Sequence, residues 1–495
     1  MNRKIFLVIA GMFFTGSISA QYAEDALRFS RTFPGGTARI MGMAGAQNAL
    51  GADISSLVGN PAGLGFYRSS DFSISPTLRF NTTESKAFGN LSSEKRDQLN
   101  IGSLGFTVTQ LNQDYSGADV QNGWVSYTFG FGMNRTNSFF ENRYFSGTNS
   151  NSAIGNYFAE IANGRDASAF PDTNVTSLED MAWYGYVIDF DTVSNSFIRV
   201  GNGSVRQTQA DQIEGSQNEW TFAFGANYSN TLYLGASIGL GTVRYERVSK
   251  FTESDINDPL YNLQNVTLND RLTVDGSSFN IKIGAIVRPT DFVRVGLSMQ
   301  TPDYYNLDES YVTDLSSVAN PTGNAVENFR YNSLEYLFQY KLRTPFRYNA
   351  GLAFIFNKLG LISADVELVD YSNNRLSAGG DFADFGPEQN GVIQNLYKSA
   401  YNVRIGAEGK LGPFSIRGGY ARYGDPTTST KIDLSRNILS GGIGYRQSDY
   451  YFDLAFVNQQ HKNIYSPYFL NNGSEPQIEN TVNTNSVILT VGTRF

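Results

Sequence analysis

The chain has 495 residues, 46 acidic against 38 basic, with one histidine and no cysteine. Scattered charge with an acidic balance argues against a nucleic-acid partner, and the missing thiols exclude disulfides and thiolate metal sites. Aromatic residues make up 14% of the chain and glycine 49 positions, yet no apolar run is long enough for a spanning helix. In an exported chain this composition suggests membrane-spanning strands, whose alternation keeps mean hydropathy low.

Asn2-Arg3-Lys4 is a basic start, residues 5–14 are apolar, and residues 15–20 supply small residues for cleavage. This predicts a secretory signal peptide over 1–20, too short to span a bilayer. Its removal takes two from the 38 basic residues against 46 acidic ones, a net charge of about −10.

Residues 21–71 show no sustained alternation. Leu27, Phe29, Phe33, Ile40, Met41 and Leu50 are available to pack against something, so the segment reads as a plug rather than a free tail. Near its end stands Asn60-Pro61-Ala62-Gly63. Asn and Pro favour a turn start, and Gly63 permits close backbone approach.

From Phe72 the period becomes two. Phe72, Ile74, Leu78 and Phe80 oppose Ser73, Ser75, Thr77 and Arg79, and the pattern recurs after Trp220, Leu232, Phe279, Val293 and Tyr401. One face suits lipid and the other a polar lumen. Strands are expected near 72–82, 101–110, 122–135, 219–229, 231–249, 271–288, 291–302, 334–357, 359–371, 400–411, 413–424, 436–447, 449–460 and 484–495. The stretch 334–357 is kept as one strand kinked at Pro345, because single-chain bacterial barrels have even strand counts.

Connections then alternate between short and long. Tight turns fall at Ser229-Asn230, Pro289-Thr290, Lys358, Gly412 and Gln447-Ser448, with a looser turn at 111–121. Long loops fall at 83–100, 136–218, 250–270, 303–333, 372–399, 425–435 and 461–483. That alternation separates an outer-membrane barrel from a soluble sandwich and puts both termini on the periplasmic side. Loop helices are predicted over 152–163, ending at Gly164, and over 176–187, with a capping box at Thr176 and Glu179. A weaker one covers 387–398. Their apolar stripes either form an external groove or pack the loop onto the rim. The last strand ends at Phe495.

A signal peptide, Asn60-Pro61-Ala62-Gly63, a closed strand series and a terminal aromatic together resemble the FadL/TodX family of outer-membrane transporters for long-chain fatty acids and other hydrophobic compounds. The resemblance covers nearly the whole mature chain. It implies a barrel of about fourteen strands over 72–495, closed by a hatch over 21–71. It also implies a fatty-acid-like ligand bound in the lumen, hatch movement, and lateral exit beside a kinked third strand. There Gly130 and Gly132 permit either a gap or room for the plug. Phe495 looks like the signal read by the barrel-insertion machinery, and outer-membrane lipid is the surrounding partner.

Lys282, Arg294, Asp365, Glu367, Arg404, Glu408 and Arg417 fall on lumen faces, and the two acids on one strand are expected to be opposed by the cations around the wall. His461 reads as a solvated residue at the start of a loop. With one imidazole and no nucleophile elbow beside it, neither an enzyme nor a cofactor is expected. A diffusion porin is the alternative; an outer-membrane enzyme or an adhesin acting through the 136–218 loop ranks lower.

Overall fold

A computed structural model describes residues 17–495 except Pro34, Tyr115, 167–169, 171–174, Thr176, 256–261, 322–324, 333–334, Lys358 and Ile432. The predicted signal peptide lies outside these residues up to position 16, as do the turn at Lys358 and the cap at Thr176.

Fourteen antiparallel strands close on themselves as a meander. They are β1 (Asp71–Ala87), β2 (Asn90–Leu111), β3 (Trp124–Ser138, continued by Glu141–Asn149), β4 (Val205–Tyr228), β5 (Leu232–Asp255) and β6 (Asn262–Val287). Then come β7 (Val293–Gln300, continued by Tyr304–Asn320), β8 (Tyr336–Arg343, continued by Arg347–Ile355) and β9 (Gly360–Asp370). The series ends with β10 (Ser399–Leu411), β11 (Phe414–Tyr423), β12 (Arg436–Gln447), β13 (Tyr450–Tyr465) and β14 (Ile478–Arg494). β14 returns to β1, with Asp71 opposite Arg494. Closure removes both sheet edges, the condition for strands in a bilayer.

The alternation places side chains as the sequence predicts. On β1, Phe72 and Leu78 are 41% and 44% exposed on the outer wall, whereas Ser75 is fully buried on the inner one. Of the predicted 334–357, Tyr336–Arg343 and Arg347–Ile355 form one strand position broken at Pro345. β7 breaks beside it at Pro302, and the two breaks are joined by Asp303 N donating to Thr344 Oγ1 at 2.8 Å. The turn at Ser229-Asn230 has both residues at positive φ, 53° and 57°, the twist a two-residue hairpin needs.

Strands run well past their predicted ends. Crossing takes about 9–11 residues, but β4, β5 and β6 have 24, 24 and 26. The predicted loop 83–100 is a hairpin extension turning at Phe88-Gly89. Most of 303–333 is strand, including a short piece, Glu327–Asn332, laid beside β7. His461 is not in a loop: it lies on β13 opposite Arg436. Outside the hydrocarbon the outward face need not be apolar, so alternation fades while the hydrogen-bond ladder continues.

Two loop helices, α3 (Ile154–Ala162) and α4 (Leu178–Tyr184), cover one end of the barrel. Ser177, one residue after the expected cap, accepts from Asp180 N at 3.2 Å. The helical stripes, Ile154, Phe158, Met181 and Ala182, pack with Phe145, Phe251 and Leu315 from strand ends, so they fasten the loop to the rim. Of the 387–398 prediction, the helix realised is Phe385–Leu396.

Candidate functional site: the inner segment and its seat

The described residues before β1 lie inside the barrel, where four short elements succeed one another. The first is α1 (Ser17–Ser30), a helix the sequence reading did not anticipate. Its Ala23, Ala26 and Phe29 are fully buried among wall residues including Tyr245, Tyr305, Tyr340, Val369 and Tyr397. Tyr22 meets Phe338, Tyr340 and Phe385 edge-on. Tyr397 donates its hydroxyl to Ala23 O at 2.9 Å, so the wall holds the helix by polar bonds as well as by packing.

After α1 the chain crosses the lumen. Phe33 N donates to Thr136 O on β3 at 2.8 Å. A helical turn, α2 (Ala38–Met41), is capped by Thr37, and the two 3-10 turns Ile54–Leu57 and Pro61–Phe66 are capped by Asp53 and Asn60. The caps are linked, since Thr37 Oγ1 donates to Asp53 Oδ1 at 2.9 Å. Each satisfies amides that a short helix leaves open, which lets so little regular structure be fully buried.

Asn60 is used at both ends of its carboxamide. Oδ1 accepts from Ala62 N at 3.1 Å, and Nδ2 donates to Asn48 O at 2.8 Å, with Leu297 O and Ala285 O of the wall at 3.3 and 3.4 Å. Pro61 begins the 3-10 turn, where its missing N–H costs nothing. Pro61, Ala62 and Gly63 are buried. Asn48 reaches the wall through Nδ2 to Gly296 O at 3.0 Å and accepts from Ser298 at 2.8 Å.

The wall meets these turns with glycine. A β-carbon would strike Ile54 from Gly105, Leu57 from Gly130 and Gly132, and Leu64 from Gly225. It would strike Pro61 from Gly235, Asn60 from Gly284, Asn48 from Gly296 and Met43 from Gly406 and Gly419. These glycines form a girdle on which the inner segment rests backbone to backbone. On β9 the place beside Gly351 is taken by Asp365, whose Oδ2 accepts from Gln47 N and Asn48 N at 2.7 and 2.8 Å.

Gly130 and Gly132 do not open the wall. The β2–β3 ladder runs unbroken from Ser103–Asn134 to Leu111–Ser126 across both glycines, and the space beside them is taken by Leu57 of the inner segment, the second of the two readings. Backbone pairing between β2 and β3 stops above Asn134. There side chains bridge the seam: Arg96 to Asn142 Oδ1 at 3.1 Å, Ser138 to Gln98 at 3.0 Å and Asn142 Nδ2 to Lys95 O at 3.2 Å.

The predicted lumen charges are on the inner face, but they do not form one opposing set. Glu367 takes Arg404 at 2.6 Å and Arg347 at 3.1 Å. Glu408 takes Arg417 at 2.7 Å and Arg39 of the inner segment at 3.1 Å, and Arg417 also holds Asp453 at 2.6 Å. Lys282 pairs with Glu219. Asp365 serves the amides of Gln47 and Asn48, while Arg294 lies over the Phe66 ring at 4.4 Å. Arg39, Arg347 and Glu219 escaped the sequence reading because their partners lie far away in the chain. Several of these charges line a 70 Å³ cavity against the inner segment.

A larger concavity, 740 Å³, faces outward between Leu234, Ile283, Leu297, Tyr348, Val366 and Tyr401. The ladders behind it are continuous, so it does not join the lumen.

A closed transmembrane β-barrel whose lumen is filled by its own N-terminal segment defines the class of protein. Its fold is that of the FadL and TodX channels. A Pseudomonas aeruginosa FadL homologue aligns with a TM-score of 0.57 and 12% identity over 93% of this chain and 99% of that one. The P. putida toluene transporter TodX gives 0.53 and 14% over 93% and 99%. A deletion mutant of the TodX monoaromatic hydrocarbon channel gives 0.54 and 12% over 93% and 98%. No protein-family model matches the sequence, and no curated protein does.

Proposed function

We propose that this chain is a bacterial outer-membrane channel for passive uptake of hydrophobic compounds such as long-chain fatty acids, with 21–71 as hatch and 72–495 as barrel. The observation that carries this reading is the seating of Asn60-Pro61-Ala62-Gly63 on the glycine girdle: a closed lumen with a close-fitting, non-covalent stopper. Structures of similar fold described as a FadL homologue and a toluene transporter support it.

In this reading a ligand enters among the apolar side chains around α1, gaining roughly 0.8 kcal/mol for each buried CH₂. Exit is lateral, through the seam above Ser103 and Asn134, where only side chains bridge β2 and β3. The charges at Lys282, Arg294, Asp365, Glu367, Arg404, Glu408 and Arg417 brace the wall and latch the hatch, and no catalytic role is assigned to any residue. The side with short turns is periplasmic and carries both termini. Phe495 is read by the insertion machinery, and lipid surrounds the outer wall.

The test is uptake by proteoliposomes of a long-chain fatty acid against a polar solute of similar mass, each measured as excess over protein-free liposomes. Excess for the fatty acid alone, altered by deletion of residues 60–63, is the expected result. Free passage of the polar solute would identify a diffusion porin instead.

A further inference from the structure

We propose that the outer wall over β7, β8 and β9 carries a seat for a phosphorylated lipid of the outer leaflet. Its phosphate would lie on Lys341, Arg343 and Arg375, and an acyl chain in the 740 Å³ concavity below them. This goes beyond the uptake reading and shares with it only the orientation that puts the long loops outside the cell.

The concavity follows from side-chain size. Leu297 on β7 stands opposite Ala285 on β6 and Ala350 on β8. Two small side chains flanking a large one dent the outward face, and Ile283, Met299, Tyr348 and Tyr401 edge the dent toward the long loops. In a bilayer hydrocarbon fills such a dent, but one lipid tail is as apolar as another, so the dent alone selects no lipid. Selection has to come from the charges above it.

Leu342 and Leu376 face the lumen, buried in the cluster around α1, so their neighbours Lys341, Arg343 and Arg375 face outward. Arg343 and Arg375 stand directly opposite each other on paired strands, a juxtaposition of like charges that is destabilising by itself. Arg375 Nη1 donates to Ser372 O and Asn374 O, both at 2.7 Å, which fixes its guanidinium. Among the described residues none of the three cations is ion-paired. The outward acids on adjoining strands are engaged elsewhere: Asp308 accepts from Gln339, and Asp370 from Ser372 and Asn373, each at 2.7 Å. Elsewhere the outer wall balances its cations. Arg244 and Arg271 meet Glu246, Arg422 meets Asp433, and Lys462 meets Glu479.

An anion between Arg343 and Arg375 would relieve their repulsion, and a phosphate suits guanidinium donors well. Between the cations and the dent, Phe346 and Tyr348 stack with ring centres 6.2 Å apart. Such aromatic layers mark the membrane–water interface. Arg343 lies five positions before Tyr348, at most about 18 Å along the chain. Cations, aromatic layer and apolar dent follow one another along β8 in the order of a lipid's phosphate, its linking backbone and its tail.

The test is native mass spectrometry of the barrel with its inner segment, purified in detergent, with two probes that share their acyl chains. They are bisphosphorylated lipid A and the same lipid with both phosphates removed. The phosphorylated probe is expected to half-fill one site at about tenfold lower concentration, the value of one charge-assisted hydrogen bond. R343Q/R375Q should erase that difference and R343K/R375K should keep it, with heat-modifiable migration confirming folded barrels. Ala350→Trp, which fills the dent, should weaken both probes alike. Equal binding of the probes by the native protein, a preference that survives in R343Q/R375Q, or full binding by Ala350→Trp would overturn the seat. So would displacement by inorganic phosphate at the probe's own concentration, which marks a free-anion site, or a dimer that Ala350→Trp dissociates, which gives the dent to a second copy. Protease added to intact cells reports orientation separately: a 150–200 loop that resists cleavage there but is cut in lysed cells would overturn the outer-leaflet assignment. Failure of fatty-acid uptake would overturn the channel reading and leave the seat standing.

Discussion

The Asn60 carboxamide donates to Asn48 O at 2.8 Å, joining two turns of the inner segment that are twelve residues apart. Because both turns also bond the wall, this contact ties the hatch to itself and to the barrel. Asn60→Ala should leave Asn48 O without its donor and the Ala62 amide uncapped, at about 1–3 kcal/mol for a buried group. The expected outcome is a normally folded barrel with increased ion leak in planar bilayers. Leak equal to that of the parent protein would show that Asn60 does not hold the hatch.

The glycine girdle makes a steric prediction. At Gly284 a β-carbon would overlap Asn60, whereas at Gly418 it would meet nothing within 4 Å. Gly284→Val should therefore unseat the hatch and raise conductance, and Gly418→Ala should not. Gly130→Trp should likewise act by displacing Leu57, so its leak should resemble that of Gly284→Val rather than a simple block of uptake.

Arg39 and Arg417 share Glu408 but belong to different bodies. Arg39→Met leaves Glu408 paired with Arg417, so it should loosen the hatch and spare barrel stability. Arg417→Met leaves Asp453 and Glu408 with one cation fewer inside the wall, where breaking a buried pair costs about 3–5 kcal/mol. Heat-modifiable migration against temperature should show a lowered transition for Arg417→Met and little change for Arg39→Met.

Beyond the membrane, Glu253 accepts from Ile154 N at 2.9 Å and from Gln207 at 2.6 Å beneath the α3 helix. Burial, opposed by those hydrogen bonds, pushes its carboxyl up to about 7. The folded cap therefore binds a proton more tightly than the unfolded chain does, and its stability declines as pH rises from the ordinary carboxylate range through 7. Proteolysis of the 150–200 loop should be faster at pH 8 than at pH 5.5 after correction for the protease's own profile. Glu253→Gln should flatten the dependence.

Much of the barrel was legible in local sequence. Side chains two apart share a face, so alternation from Phe72 onward located each spanning strand, and Pro345 marked a kink because it cannot donate to a ladder. Turns such as Ser229-Asn230 were legible for a similarly local reason: few residues accept positive φ at both places. Strand ends were not legible, since alternation in polarity vanishes outside the hydrocarbon while pairing persists, as in 83–100. His461 was misplaced by the same effect.

What the sequence by itself determined is therefore the fold class, the inner and outer faces, and the turn at Asn60-Pro61, each a matter of neighbours within a few residues. The tertiary structure alone decided that Gly130 and Gly132 make room for Leu57, and that Arg39 shares Glu408 with Arg417. These relations join residues from distant strands, and only closure of the barrel around its own N-terminal segment brings them within reach.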